Sequence, residues 1–210
     1  MVPLKLDHFM YAAANLEALR EKFERLTGVL ADPGGVHPGL GTHNALAALG
    51  ADTYIELIAP DSKQDVPNSW GALFKGFGQA QIFTYVVKCS NIELCQAQLA
   101  ELGFKTELIE ASRKTPAGHT LRWRLLLPAA NRFATYFPIF IDWLDTPHPA
   151  QTAVKGCVLT SFEIGHPEGL ELSRIFETLG VDICVVQADR PYFQARLETQ
   201  KEAVVLNSAG

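Results

Sequence analysis

The chain has 210 residues, of which 48% are hydrophobic, enough to bury a substantial core in one large domain or two small ones. Its 23 acidic and 18 basic residues give a formal charge of −5, and it has no run of Lys and Arg of the kind that follows a phosphate backbone, which argues against nucleic acid as a partner. The amino terminus lacks the cationic start and unbroken apolar core of a signal peptide, and no apolar run of about 18 residues follows. We therefore predict a cytoplasmic protein that does not associate with membranes.

The first predicted elements are a strand and an amphipathic helix. The strand begins at Leu6 in the run LDHFMYAAA, and Asn15 is a suitable amino-terminal cap for the helix that follows. Apolar residues then recur at helical spacing, and Gly28 can adopt the positive φ that ends a helix. After a loop with the sequence DPGGVHPGLG, the stretch HNALAALGADTYIELIAP predicts a β-hairpin that turns at residues 50–52.

The same order of elements returns twice along the chain. A shift of 76 residues brings Leu6 to Ile82, which starts a second strand, and Asn91 then caps a second helix. A shift of 153 residues reaches Leu159, which starts a third strand and is followed by a helix that ends at Gly180. Because a β-rich stretch follows each strand and helix, the sequence predicts three βαβββ modules, at residues 1–60, 80–147 and 156–208.

These modules predict an α+β fold in which two modules form a cup and the third is an extra module. Amphipathic helices would cover the outer faces of the sheets. Residues 61–79 and 144–155 are rich in Pro, Gly and polar residues, which is typical of connections. A parallel sheet with helices on both sides fits less well, because the strands come in runs of about three with short turns.

The four cysteines show no C-x-x-C spacing, and each lies in an apolar stretch, where a thiol is a small core side chain. We therefore predict buried free thiols, rather than disulfide bonds or zinc ligands, at Cys89, Cys95, Cys157 and Cys184.

Three ionisable residues break the apolar pattern of their strands. His8, Glu56 and Asp142 each have apolar neighbours two residues away on both sides, so each points towards an apolar environment and needs a partner. The shift of 76 makes Thr84 the counterpart of His8, and the runs YIEL and FIDW place Glu56 and Asp142 in similar closing strands. If two modules pair about a pseudo-twofold axis, these four residues converge on one pocket that could bind a divalent metal.

The sequence resembles the vicinal oxygen chelate superfamily and its glyoxalase-like branch. The resemblance rests on LDHFMYAAANLE, GGVHPGLGTHN, YIELIAP, SRKTPAG followed by LRWR, and FPIFIDW followed by HP, and it covers about residues 4–185. It implies a divalent ion (Zn, Ni, Mn or Fe) held by His8, Glu56 and Asp142, with Thr84 as a departure from the expected ligands. His37, His43 or His148 could complete the shell. Without a metal, His8 and Glu56 would form a buried hydrogen bond, and Asp142 would pair with an Arg.

Two further regions are candidates for contact with a ligand. The glycine-rich loop would place His37, Thr42, His43 and Asn44 at the pocket, or else it is an ordinary connection. In the LRWR strand, Trp123 lies on one face and the arginines on the other; inward arginines would favour an anionic group, and outward ones would be solvated. We predict ligand contacts from the second region at Arg113, Arg122, Trp123 and Arg124, and from the loop after the last strand at His148.

Two functions follow from these residues. In the first, a metal held by His8 and Glu56 polarises a small molecule and Glu56 or a loop His moves a proton, which is lyase or isomerase chemistry; an Fe(II) dioxygenase fits less well because it needs a second strand His. In the second, the cup has lost its metal and sequesters a small molecule without catalysis, as resistance proteins do. The unpaired third module would pack on the other two or on a second chain, which would give a homodimer.

Overall fold

The computed structural model describes residues 3–114 and 120–208, without the side chains of residues 113 and 114. It confirms the α+β fold of two βαβββ modules that form a cup and a third, extra module. The helices are α1 Leu16–Thr27, α2 Trp70–Phe74, α3 Ile92–Glu101 and α4 Gly169–Leu179. The strands are β1 Leu4–Ala12, β2 Asp32–His37, β3 Thr42–Ala48, β4 Tyr54–Pro60, β5 Gln81–Lys88, β6 Thr106–Lys114, β7 Thr120–Pro128, β8 Ile139–Asp142, β9 Cys157–His166, β10 Val181–Asp182, β11 Cys184–Gln187, β12 Tyr192–Thr199 and β13 Val204–Asn207.

The first two module helices begin with the same cap. The Asn15 side chain accepts a hydrogen bond from the backbone amide of Ala18, and the Asn91 side chain accepts one from that of Leu94, both at 2.9 Å. Helix α1 ends at Gly28, which has φ of 80°. The repeated Asn therefore fixes where each helix starts relative to its strand.

The large sheet joins the first two modules. Its strand order is β2-β3-β4-β1-β5-β8-β7-β6. Counted from the centre of the sheet outwards, each module therefore contributes its first, fourth, third and second strands. Antiparallel pairing of β1 with β5 links the two modules. This arrangement has a pseudo-twofold axis between β1 and β5. The edge strands β2 and β6 also contact each other, so the sheet curls into a cup.

The two faces of this sheet have different cores. One face, here called the cup face, bears Met10, Tyr54, Val86 and Ile139. It is covered by α2 and by residues 144–155. The outer face bears residues of the opposite parity, such as Phe9, and is covered by α1, α3 and the third module. The two segments predicted as connections therefore also line the cup.

The third module has its own sheet and packs on the outer face. Its order is β11-β9-β12-β13, with β9 parallel to β11, so its pairing differs from that of the other two modules. Its short strand β10 instead pairs with β1 of the large sheet. Phe162 stacks on Phe9 with a ring-centroid distance of 5.4 Å, and Phe193 contacts Tyr85 with a ring-centroid distance of 5.7 Å. These contacts bury the module against the same chain, and the homodimer stays a prediction.

Three of the four cysteines are buried as predicted, and none forms a disulfide bond. The prediction is wrong for Cys184, which is exposed because it opens the edge strand β11. Within the described residues, no helix is long and apolar enough to cross a membrane.

Candidate functional site

A β-bulge in β1 brings two consecutive polar residues to the cup. The pairing of β1 with β5 shifts register between Leu6 and His8, which leaves Asp7 as the extra residue. Asp7 and His8 therefore leave the usual alternation, and their side chains meet, with His8 Nδ1 2.7 Å from Asp7 Oδ1. Both are buried, with 0% and 4% of their surface exposed.

Asp7 is the centre of a buried hydrogen-bond network. Its Oδ2 accepts from Trp143 Nε1 at 2.9 Å and lies 3.0 Å from His148 Nε2. His148 Nδ1 accepts from the amide of Ala150, so its proton is on Nε2 and is donated to Asp7. Burial raises the pKa of Asp7, but the hydrogen bonds from His148 and His8 outweigh it and bring the pKa to about 2. Asp7 is thus a carboxylate that only accepts, and His8 Nδ1 must carry a proton.

The opposite side of His8 faces Glu56. His8 Nε2 lies 3.6 Å from Glu56 Oε2, which is beyond hydrogen-bond distance, and the imidazole stacks on Tyr54 with a centroid distance of 4.4 Å. Glu56 Oε1 accepts from Asn44 Nδ2 at 2.5 Å. A hydrogen bond therefore orients each side chain of this pair: Asp7 orients His8, and Asn44 orients Glu56.

The glycine-rich loop and β3 orient Asn44. The Asn44 Oδ1 atom accepts from the Gly35 amide at 2.7 Å, which leaves Nδ2 to donate towards Glu56 and, at 3.2 Å, towards His37 Nε2. His37 Nδ1 lies 2.9 Å from Thr42 Oγ1. A Cβ at Gly34 would lie only 2.0 Å from Asn44 Oδ1, so this position requires glycine. The structure thus gathers His37, Thr42 and Asn44 around Glu56.

Asp142 does not join this cluster. The β5–β8 register pairs Val86 with Ile139, as the β1–β4 register pairs Met10 with Glu56, so the counterpart of Glu56 in the second module is Ile139. Asp142 is three residues further along and lies on the outer face. There it accepts from Arg124 Nη2 at 2.7 Å. The predicted convergence of Asp142 with His8 and Glu56 is therefore wrong. Matching the run YIEL to the run FIDW pairs Glu56 with Asp142, whereas the strand pairing matches Glu56 to Ile139.

The arginines of β7 also lie outside the cup. Arg124 bridges Asp142 and Glu93 of α3 on the outer face, and Arg122 has the same parity and is exposed. Trp123 points the other way and contacts Trp143 at 5.6 Å. The predicted ligand contacts of Arg122 and Arg124 in the cup are therefore corrected.

Two other predicted contacts have different positions. His43 alternates with Asn44 on β3 and so lies on the outer face, and the predicted role for it in the cup is corrected. His148 reaches the cup through its hydrogen bond to Asp7. The side chain of Arg113 lies outside the part of the chain that the structure describes.

The residues present fit the expected metal centre incompletely. The first module supplies His8 and Glu56, but the matching positions of the second module are Thr84 and Ile139. The Thr84 hydroxyl donates to the backbone carbonyl of Thr135 at 3.1 Å. Among the described residues, no group of three His, Cys, Asp or Glu side chains is arranged to hold a metal ion. The four-ligand centre implied by the resemblance is therefore not formed by these side chains.

Sequence reasoning missed Asp7 and Trp143. Strict alternation places Asp7 on the face opposite His8, and only the bulge reverses this. The available signal was the adjacent Asp-His pair, since a carboxylate that holds an imidazole is a recurrent catalytic arrangement.

Comparisons with known proteins agree with this fold. The family model described as a glyoxalase-like domain matches residues 6–180. A hypothetical protein from Staphylococcus aureus is similar in structure, with a TM-score of 0.64, 18% identity, and coverage of 99% of this chain and 86% of that chain.

Two methylmalonyl-CoA epimerases have lower TM-scores. The Mycobacterium tuberculosis enzyme has a TM-score of 0.47, 21% identity, and coverage of 68% of this chain and 88% of that one. The Streptomyces coelicolor enzyme, in complex with 2-nitronate-propionyl-CoA, has a TM-score of 0.48, 15% identity, and coverage of 70% and 99%. No curated protein matches the chain. Because the family model covers most of its length, the chain belongs to the glyoxalase-like domain family.

Proposed function

We propose that this protein is an enzyme of the lyase or isomerase class that moves a proton next to a carbonyl group of a small molecule. The observation that carries the proposal is the buried pair of His8 and Glu56, whose Nε2 and Oε2 atoms face each other at 3.6 Å. Hydrogen bonds to Asp7 and from Asn44 orient the two side chains. General acid–base catalysis uses positioned side chains that take up and return a proton, and both members of this pair are of that kind.

The hydrogen-bond pattern supports one mobile proton in this pair. Since His8 Nδ1 donates to ionised Asp7, the remaining nitrogen, Nε2, faces the Glu56 carboxylate. A lone pair on Nε2 and a carboxylate oxygen would repel each other in a buried site, where charges are poorly screened. A proton on either atom removes the repulsion. When that proton is on His8 Nε2, the Glu56 carboxylate is the base that takes a proton from a substrate carbon and returns it.

Each neighbour has a role in this mechanism. Asp7 keeps the imidazole in one tautomer and one orientation, as a buried carboxylate does in a catalytic triad. Asn44 holds Glu56 by donating to Oε1. Of the cluster, His37 has the side chain nearest to solvent, with 19% exposed, so we place substrate entry beside it. Positioned acid–base groups of this kind contribute about 100- to 10,000-fold in rate.

Metal dependence remains a separate prediction. His8 and Glu56 are two suitable donors for Zn, Ni, Mn or Fe, and no step of the mechanism above passes through an ion. The earlier expectation of an anionic ligand loses the support of Arg122 and Arg124, which lie on the outer face. We therefore propose a carbonyl compound that carries no net charge at its reacting end.

Hydrogen–deuterium exchange tests this function. Purified protein is incubated in D₂O with a panel of small ketones, α-hydroxy ketones and thioesters, and exchange at the carbon next to the carbonyl is followed by ¹H NMR. We expect exchange of at least one compound, reduced about 100-fold or more in His8→Gln and in Glu56→Gln. His43→Gln, which changes a histidine on the outer face, should keep the wild-type rate.

Two outcomes decide between the alternatives. Exchange that His8→Gln leaves unchanged, or no exchange across the panel, would refute the proton-transfer function. Repeating the assay with EDTA and with each added ion tests metal dependence separately, because an ion-requiring reaction would stop with chelator and recover with one of the four metals.

The second candidate function is metal-free binding without catalysis. Thr84 and Ile139 favour it, because they leave the second half of the cup without metal ligands. Thermal-shift measurements would then show stabilisation by a ligand and no response to EDTA. Binding without deuterium exchange would favour this function over the first.

A further inference from the structure

An apolar cavity of about 340 Å³ occupies the second half of the cup. This volume is at the small end of the range for ligand cavities, about 300–1,000 Å³. The side chains that line it carry no charge. They include Trp70, Phe83, Thr84, Leu127, Phe137 and Ile139.

The cavity lies over the counterparts of the polar pair. Thr84 corresponds to His8 and Ile139 to Glu56, so the same backbone positions present polar groups in one half of the cup and a cavity wall in the other. The Thr84 hydroxyl already donates its proton to the backbone carbonyl of Thr135, so that proton is not available to a ligand. The cavity therefore offers contact area and aromatic faces but few hydrogen bonds.

The two halves are close enough for one small molecule. Met10 pairs with Glu56 on one side and with Thr84 on the other. Glu56 and Thr84 are therefore two strand spacings apart, about 10 Å, on the same face of the sheet.

We propose that the cavity binds an aromatic group of the substrate and so makes the substrate an uncharged aryl-alkyl carbonyl compound. This inference rests on the proposed function for the identity of the polar end. Trp70 and Phe83 meet edge to face at 5.6 Å, and Phe137 adds a third aromatic wall, an environment that favours a further ring. A chain of a few carbons spans the remaining distance to His8 and Glu56.

Binding of two ketones that differ by a phenyl group tests this. We expect wild-type protein to bind 4-phenylbutan-2-one about 10-fold or more tightly than butan-2-one in NMR titrations, because burying a ring removes a large apolar area from water. Ala130→Trp should reduce this preference to below about 3-fold, since Ala130 is an exposed residue on the cavity rim and the new indole would fill the space. Ala203→Trp, at an exposed position of the third module, should keep the preference.

His8→Gln separates this inference from the proposed function. The variant should lose deuterium exchange and keep the preference for the phenyl ketone. A wild-type protein without that preference, or an Ala130→Trp variant that is folded by circular dichroism and keeps it, would overturn the aromatic site whether or not exchange occurs. Preference without any exchange would leave the aromatic site standing and refute the proton-transfer function.

Discussion

The first and second modules share one strand order, but they present different chemistry to the cup they build. At matching positions the first has His8 and Glu56, and the second has Thr84 and Ile139. The backbone pairing is the same in both halves, so the difference lies in the side chains and in what supports them. A repeated scaffold can therefore divide a site into a polar half and an apolar half.

The polar half needs far more support than the apolar half. Asp7 takes hydrogen bonds from three side chains, and Glu56 takes one from Asn44, whose own orientation depends on the Gly35 amide. Such a network is required because a buried ionisable group without partners is costly. In the apolar half, one hydrogen bond from Thr84 to a backbone carbonyl is sufficient.

The largest predicted effect comes from making the second half resemble the first. The double variant Thr84→His/Ile139→Glu adds two metal donors opposite His8 and Glu56. We expect it to bind Zn²⁺ at least about 100-fold more tightly than wild-type protein, because four side-chain ligands of these types complete a zinc site. Isothermal titration calorimetry with a competing chelator measures the affinity.

The single variant Thr84→His is the control for this graft. It supplies one donor of the two and should give an intermediate affinity. If the folded double variant binds Zn²⁺ no better than wild-type protein, then Ile139 is not the counterpart of Glu56 and the comparison of the two halves fails.

Much of the fold was predictable from the sequence because the caps and helix ends recur at constant spacing. Asn15 and Asn91 mark corresponding positions, and their shift aligns the first strands correctly. The closing strands could not be aligned in this way, because the connections before them differ in length. A short run such as FIDW is compatible with either parity, and a slip in register moves a side chain to the other face.

The local details of the site depended on features that alternation cannot show. The bulge at Asp7 changes the face of one residue, and a bulge leaves little trace in a run of mixed polar and apolar residues. The partners of Asp7 are also distant in sequence, at Trp143 and His148. The proximity of His37 and Asn44 to Glu56 followed from the glycine-rich loop and the adjacent hairpin, which are local in sequence.

The support for His8 predicts a pH-dependent loss of stability. Because the pKa of Asp7 falls from 3.8 to about 2 on folding, its ionised form contributes about 2 kcal/mol to the free energy of unfolding above pH 4. This contribution disappears as the pH falls from about 4 towards 2, since protonation then favours the unfolded chain. Urea unfolding of wild type and Asp7→Asn should show a difference of about 2 kcal/mol at pH 7 that shrinks below pH 4.

Asp52→Asn is the matched control, because Asp52 is exposed in the turn before β4. It should unfold like wild-type protein at each pH. A difference between wild type and Asp7→Asn that stays constant from pH 7 to pH 2.5 would contradict the assigned ionisation of Asp7.

The smallest predicted effect concerns the packing behind Glu56. In Gly34→Ala, the new Cβ would lie 2.0 Å from Asn44 Oδ1, so the amide must move and its hydrogen bonds to Gly35 and Glu56 are weakened. We expect a loss of about 1 kcal/mol in the free energy of unfolding, the usual value of a buried hydrogen bond, together with slower deuterium exchange. Gly50→Ala is the control, because a Cβ there meets no atom within 4 Å. The preference for the phenyl ketone should be unchanged in both variants, since the aromatic cavity lies two strands away from Glu56. A Gly34→Ala variant that lost this preference while it kept the exchange rate would mean that the two halves of the cup do not bind separate parts of the substrate.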